Sequence, residues 1–222
     1  MTRKIFIVVL LSASALASAR NGSVQAQTAA GQPPAQSPAQ TAPHEHGQMN
    51  GQAAEQTPAQ KYFTDVELVD QDGRKMRFYS DVLKGKTVVI NAFFTTCTSV
   101  CPPMNRNLEK VQEALGDRIG KDVFIVSISV DPLNDTPERI KAYSQKFHAK
   151  PGWLFLTGKK ENVDWALYKV GQYVETKDDH TTGIIIGNEA TGLWKKAFGM
   201  AKSDELVAVV ESVANDKGGA AQ

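Results

Sequence analysis

Asn91-Ala-Phe-Phe-Thr-Thr-Cys97-Thr-Ser-Val-Cys101-Pro-Pro-Met104 is the stretch on which the reading of this chain turns. An almost continuously apolar run, Thr87 to Phe94, leads into it, as expected for a strand covered on both faces. A turn then carries the only cysteines of the chain, Cys97 and Cys101, and the paired prolines after them open a helical pattern. Strand, turn and helix in that order describe a site at the carboxyl edge of an open α/β sheet.

What the sulfurs do there follows from their spacing. A Cys97–Cys101 disulfide would close a loop of a few residues and restrain little of the unfolded chain, so a staple is a poor explanation. Inert buried thiols are a second reading, since free cysteine packs as a small hydrophobe, but a polar, proline-bounded turn argues against it. Redox and metal chemistry remain. In a regular helix, four residues turn through about 400° and rise about 6 Å, which would put both sulfurs on one face. Pro102 and Pro103 oppose that, because each lacks an amide hydrogen and biases the preceding residue away from helical angles. The helix is therefore expected to begin at Pro102 or Pro103, with the cysteines looped over its N-terminus. There the helix dipole favours thiolate, the form needed for both attack and metal binding.

Working outward, Met104, Leu108, Val111 and Leu115 recur at helical spacing, and Gly116 is a C-terminal stop. Val123–Val130 reads as a second buried strand. Helix starts follow at Asp135 with Glu138, or at Thr136 with Pro137. Ile140, Tyr143 and Phe147 mark the buried face of that helix. Trp153–Leu156 is a short strand, and Val163, Leu167 and Val170 belong to another helix. A late hairpin, Thr182–Ile186 with Leu193–Phe198, turns around Gly187-Asn188-Glu189, and Ser203 caps a last helix carrying Leu206, Val210 and Val213. Upstream, Tyr62–Val69 and Lys75–Phe78 flank Asp72-Gly73, a hairpin turn signal. Strands alternating with helices between terminal hairpins predict an α/β domain: a thioredoxin-like mixed sheet flanked by helices.

That domain spans about residues 61–216, leaving 217–222 as a tail; its length suits one core without staples. Residues 27–60 are rich in Ala, Gln and Pro and poor in core formers, the composition of a disordered linker. His44, His46 and Met49 form a small cluster of potential metal ligands there, or an accidental polar tract. Residues 1–26 read as a signal peptide: Arg3-Lys4, an apolar run from Ile5 to Ala19, and a small-x-small site at Val24-Gln25-Ala26. Export, with a periplasmic location, is expected; if the signal stays uncleaved, the protein is membrane-anchored. No cysteine near this end offers a lipid attachment point. In an oxidising compartment a close cysteine pair must use or resist oxidation. A formal net charge of +1 with no Lys/Arg run argues against a nucleic-acid partner, and none is expected.

Thiol–disulfide exchange and soft-metal binding then compete. Exchange in this fold ordinarily uses cysteines two residues apart and a cis-proline opposite them; here three residues intervene, and no proline follows Pro151. Two thiolates suit Cu(I), and imidazole is an acceptable further ligand. His180, in Asp178-Asp179-His180-Thr181-Thr182, stands immediately before the late strand, where that cis-proline would be. Carboxylates beside it are expected to hold its second ring nitrogen. Zinc fits less well, since a closed site wants four ligands.

Three ordered motifs closely resemble the Sco/SenC family: Phe93–Pro102 around the cysteines, Ser129-Val130-Asp131-Pro132-Leu133-Asn134-Asp135-Thr136-Pro137, and Asp179-His180-Thr181-Thr182. The resemblance implies a thioredoxin-like fold binding one copper ion through Cys97, Cys101 and His180, with Cu(I), Cu(II) or both left open as the oxidation state carried. It also implies a client: the copper-bearing subunit of cytochrome c oxidase or another exported copper protein, loaded with metal or kept reduced. Asp131 matches the acidic residue of an Asp-Pro motif and, with Asp179, would support the ligands or face a partner. Thr96, and Thr98-Ser99 in place of the commoner Pro-Asp, depart from the family pattern without changing a ligand. The expected function is a metallochaperone with no turnover of its own; the alternative is a thiol–disulfide reductase acting on a copper protein's cysteines.

Overall fold

The computed structural model describes residues 56–219. The signal segment, the linker up to residue 55 and the His44, His46 and Met49 cluster lie outside the described residues.

The chain first forms a short helix, α1 (Pro58–Phe63), whose Thr57 cap accepts from the Gln60 amide at 3.1 Å. Pro58 sits where no amide hydrogen is needed. This helix begins inside the stretch read as linker and takes Tyr62 and Phe63 from the strand expected over Tyr62–Val69, which starts only at Glu67. Phe63 drives the difference: it buries against Phe78 and Trp194, distant contacts that local pattern does not reveal. The hairpin is shorter, β1 (Glu67–Asp70) and β2 (Lys75–Arg77). Buried Asp70 shapes its turn by accepting from the Asp72 and Arg74 amides, each at 2.9 Å. A wide helical turn, Phe78–Leu83, follows and buries Phe78, Tyr79, Val82 and Leu83.

The central unit is β3 (Thr87–Phe93), α2 (Cys101–Leu115) and β4 (Val123–Ser129), then α3 (Pro137–Gln145) and β5 (Trp153–Thr157). Beyond these come α4 (Lys160–Lys169), β6 (Gly183–Asn188), β7 (Leu193–Phe198) and α5 (Ser203–Ala214). The sheet has seven strands in the order β2-β1-β5-β4-β3-β6-β7. β3, β4 and β5 run parallel, while β1 pairs antiparallel to β5 and β6 antiparallel to β3. Every residue of β3 is buried: Val89 and Phe93 face α2, α3 and α5, whereas Val88, Ile90 and Ala92 face α1 and α4. Two covered faces explain the unbroken apolar run. This is the expected thioredoxin-like mixed sheet, with a hairpin at each end.

Local differences are small. β6 extends through Asn188, so of the residues expected to make its turn only Glu189 does, and the turn runs on to Gly192. Ser203 is the first helical residue of α5, and Lys202 holds the cap position. Of the alternative starts for α3, the structure uses Thr136 as cap, accepting from the Arg139 amide, with Pro137 next.

A buried chain of hydrogen bonds sets α2 on the sheet. Trp153 Nε1 donates to Ser127 Oγ at 3.0 Å, and Ser127 donates to Asn91 Oδ1 at 2.7 Å. Asn91 Nδ2 donates to Asn105 Oδ1 at 3.3 Å, and Asn105 Nδ2 to Tyr143 at 3.0 Å. Buried polar groups left without partners cost stability, so this fully paired network specifies one register. Asn105 lies one turn beyond Cys101, and the network therefore fixes the start of the cysteine-bearing helix.

Candidate metal centre

The cysteine turn is anchored from behind. Thr95 donates its amide and hydroxyl to the carboxylate of Asp135, which also accepts from Ser129 Oγ at 2.6 Å. Asp135 is almost fully buried, and it joins the exit of β3, the end of β4 and the entry to α3. The sequence reading considered it only as a helix cap. Once Thr136 and Pro137 supply that cap, an acid just ahead of them is left over, and that surplus is the signal for a tether.

From this anchor the chain turns back, the Cys97 amide donating to the Phe94 carbonyl at 3.1 Å. The helix begins at Cys101, one residue earlier than expected. Its amide, unclaimed at a helix N-terminus, points at Cys97 Sγ over 3.4 Å, and the following prolines need no partner there. Cys97 thus lies in the loop and Cys101 in the first helical turn. Both are buried and unbridged.

His180 arrives from the other side of the sheet edge, just after a single helical turn, Lys177–Asp179, that precedes β6. Its Nε2 lies 3.2 Å from Cys101 Sγ and 3.9 Å from Cys97 Sγ. Nδ1 donates to the Lys177 carbonyl at 2.7 Å, an acceptor that requires a proton on that nitrogen. The lone pair of Nε2 is thereby left facing the sulfurs. The expected role of neighbouring carboxylates is corrected here. Asp179 is exposed and accepts from the Thr176 hydroxyl at 2.8 Å, while a backbone carbonyl takes the ring N–H.

Asp131 also stands back from the sulfurs. It accepts from Asn134 Nδ2 at 2.8 Å and pairs with Lys177 Nζ at 2.7 Å. The His180 ring meets Phe94 edge-on, with centroids 5.1 Å apart. Gly199, where β7 ends, donates to the Thr182 carbonyl at 2.7 Å; a Cβ there would meet Met104 Sδ at 2.8 Å. Glycine at that position lets the histidine-bearing segment close on α2.

The sulfurs are electrostatically unlike. Burial pushes the Cys97 thiol up, but hydrogen bonds from the Cys101 thiol and amide and from Ser99 outweigh it, holding Cys97 below its ordinary value. Burial pushes Cys101 well above its ordinary value; its hydrogen bond to Cys97 and the negative charges of Cys97 and Asp135 add to that. The helix-terminus expectation of two lowered thiols therefore holds for one.

The ligand atoms of Cys97, Cys101 and His180 all lie within 4.8 Å of one another, the one such group among the described residues. Two soft sulfurs and one imidazole suit a soft or borderline ion, and among the described residues no further His, Cys, Asp or Glu joins them to complete a tetrahedral zinc cage.

Known proteins share this architecture. The SCO1 protein homolog of Bacillus subtilis is 36% identical over 95 residues, 42% of this chain and 47% of that protein. The chain spans about half the length of the curated relatives it matches. ScoI of Bradyrhizobium japonicum, solved with copper bound, superposes with a TM-score of 0.56 at 29% identity, covering 67% of this chain and 96% of that one. BsSco, described as having a disulfide switch and as a member of the Sco family of cytochrome c oxidase assembly proteins, gives 0.56 at 27% identity, covering 68% and 92%. The family profile described as SCO1/SenC matches residues 54–215, the whole of the sheet with its cysteine turn and histidine segment, and the chain belongs to that family.

Proposed function

We propose that this protein is a copper metallochaperone. It takes up one copper ion through Cys97 Sγ, Cys101 Sγ and His180 Nε2, and hands it to an exported copper protein, first of all the copper-bearing subunit of cytochrome c oxidase. The observation carrying this reading is the convergence of those atoms within 4.8 Å, with the ring lone pair facing the sulfurs. Thiolates select Cu(I), imidazole completes a three-coordinate site, and the same donors tolerate Cu(II). Loading releases the Cys101 proton, because the metal binds thiolate. The copper-bound state of ScoI and the description of BsSco as one of the cytochrome c oxidase assembly proteins support this choice of cargo and client. A signal segment would place the exchange in the periplasm.

A second reading rests on the unlike thiols. The Cys97 thiolate would attack a sulfur of a client disulfide, expelling the other as thiolate. Cys101 would then lose its proton and attack Cys97 Sγ, breaking the mixed disulfide and expelling the client's second sulfur as thiolate, which leaves a Cys97–Cys101 disulfide and a reduced client. The client gains two electrons and the pair loses two. Substitution of the ring separates the readings. Reduced protein mixed with Cu(I) should hold about one equivalent through dialysis, and His180→Ala should cut retention sharply while sparing disulfide reduction. Unchanged retention in His180→Ala would overturn the ligand set.

A further inference from the structure

Cys97 and Cys101 are carried by the β3–α2 body, whereas His180 lies on the segment that leads into β6, ahead of the first β3–β6 pair, Asn91 with Ile184. The Lys177–Asp179 turn crosses to the body through one ion pair among the described residues, Lys177 Nζ to Asp131 Oδ2 at 2.7 Å. Asp131 is fixed in turn: its other oxygen accepts from Asn134, and its amide donates to Ser129 Oγ at 3.0 Å. The Lys177 ammonium also lies 5.3 Å from the centre of the Phe94 ring, the ring against which His180 packs. The carbonyl that takes the His180 ring proton belongs to the same lysine. One residue thus holds the imidazole by its backbone and the body of the domain by its side chain.

We infer that Lys177 is a positioning residue: its ion pair with Asp131 latches the histidine segment so that His180 Nε2 faces the sulfurs in the metal-free protein. Only the final, copper-affinity step of this inference rests on the function proposed above. The Lys177 side chain is 37% exposed and that of Asp131 11%, so the pair adds little to global stability; its effect is on geometry. Preorganising a ligand in this way avoids the ordering cost at binding, and groups one step behind a metal ligand commonly alter affinity by roughly 10–100-fold.

The test begins without copper. In reduced protein labelled with nitrogen-15 at histidine, the His180 signals should report a single tautomer protonated at Nδ1. Lys177→Met should replace it with averaged signals of both tautomers, Lys177→Arg should restore it, and Asp131→Asn should match Lys177→Met, with no further loss in the double variant. Urea midpoints should stay close to wild type throughout. Copper affinity in Lys177→Met should then drop about 10–100-fold. Wild-type ring signals in Lys177→Met would overturn the latch, as would failure of Lys177→Arg to restore them. If the wild-type protein retained no copper, the ring signals would still decide for or against the latch, so its failure is separable from failure of the copper reading.

Discussion

Cys101→Ser will leave a folded domain that no longer retains copper through dialysis. The residue is fully buried in the first turn of α2, and its sulfur is the one nearest the imidazole, 3.2 Å from Nε2. A serine hydroxyl occupies slightly less volume and keeps the backbone amide that points at Cys97 Sγ. It is, however, a hard oxygen donor with little affinity for Cu(I), and the site is left with one thiolate and one ring nitrogen. Losing a direct ligand should exceed the roughly 10–100-fold expected when a supporting group is removed. Stability should change modestly, because the aromatic contacts of Phe93, Tyr143 and Phe155 and the Asn91–Asn105 bond lie behind the sulfur and are untouched. Metal content after gel filtration, with a urea melt on the same sample, checks both halves. Wild-type copper content in a folded Cys101→Ser protein would contradict the account.

The second large effect is a split in reactivity between the cysteines. Cys97, held below its ordinary value and carried in the loop ahead of α2, should alkylate far faster than Cys101 at neutral pH, with its rate midpoint below that of a free thiol. Cys101, fully buried and pushed up, should resist by orders of magnitude. Peptide mapping after brief iodoacetamide treatment of reduced, metal-free protein reads the difference directly; equal labelling would refute it.

The same shift has a consequence for stability, with a definite sign. A group raised in the folded state contributes stability that is complete below its unfolded value and lost as pH rises above it. For Cys101 that loss begins near pH ~8.5, where an unfolded thiol ionises, and its slope reaches at most about 1.4 kcal/mol per pH unit. Tyr143, also raised by burial and by the nearby Cys101 charge, adds to it from about pH 10. Cys97, shifted down, has the opposite sign, but its contribution is already complete above the unfolded thiol value. Urea midpoints of the reduced, metal-free protein should therefore fall between pH 8 and 10; a flat profile would contradict the raised Cys101.

How much of this was legible in the sequence depended on range. β3 was readable because seven consecutive buried positions leave an unbroken apolar run. The inward face of α2 was readable because Met104, Leu108, Val111 and Leu115 repeat at helical spacing, and all are buried. The place of His180 came from its position before β6 in an assumed fold. What the reading missed depends on contacts between distant residues. α1 forms because Phe63 finds Trp194, and Asp135 becomes a tether because Thr95 lies 40 residues upstream. Lys177 meets Asp131 across 46 residues, with no local pattern to announce it. The acids beside His180 looked like partners for its ring because they are adjacent in sequence. The helical turn instead directs the Lys177 carbonyl to that nitrogen and leaves Asp179 to Thr176.

The most direct measurement is X-ray absorption at the copper edge on reduced protein loaded with a single equivalent of Cu(I), compared with His180→Ala. The account predicts a wild-type shell of two sulfurs and one nitrogen, with the nitrogen contribution lost in the variant. A sulfur-only shell in the wild type, or a spectrum unchanged by removal of the ring, would contradict it.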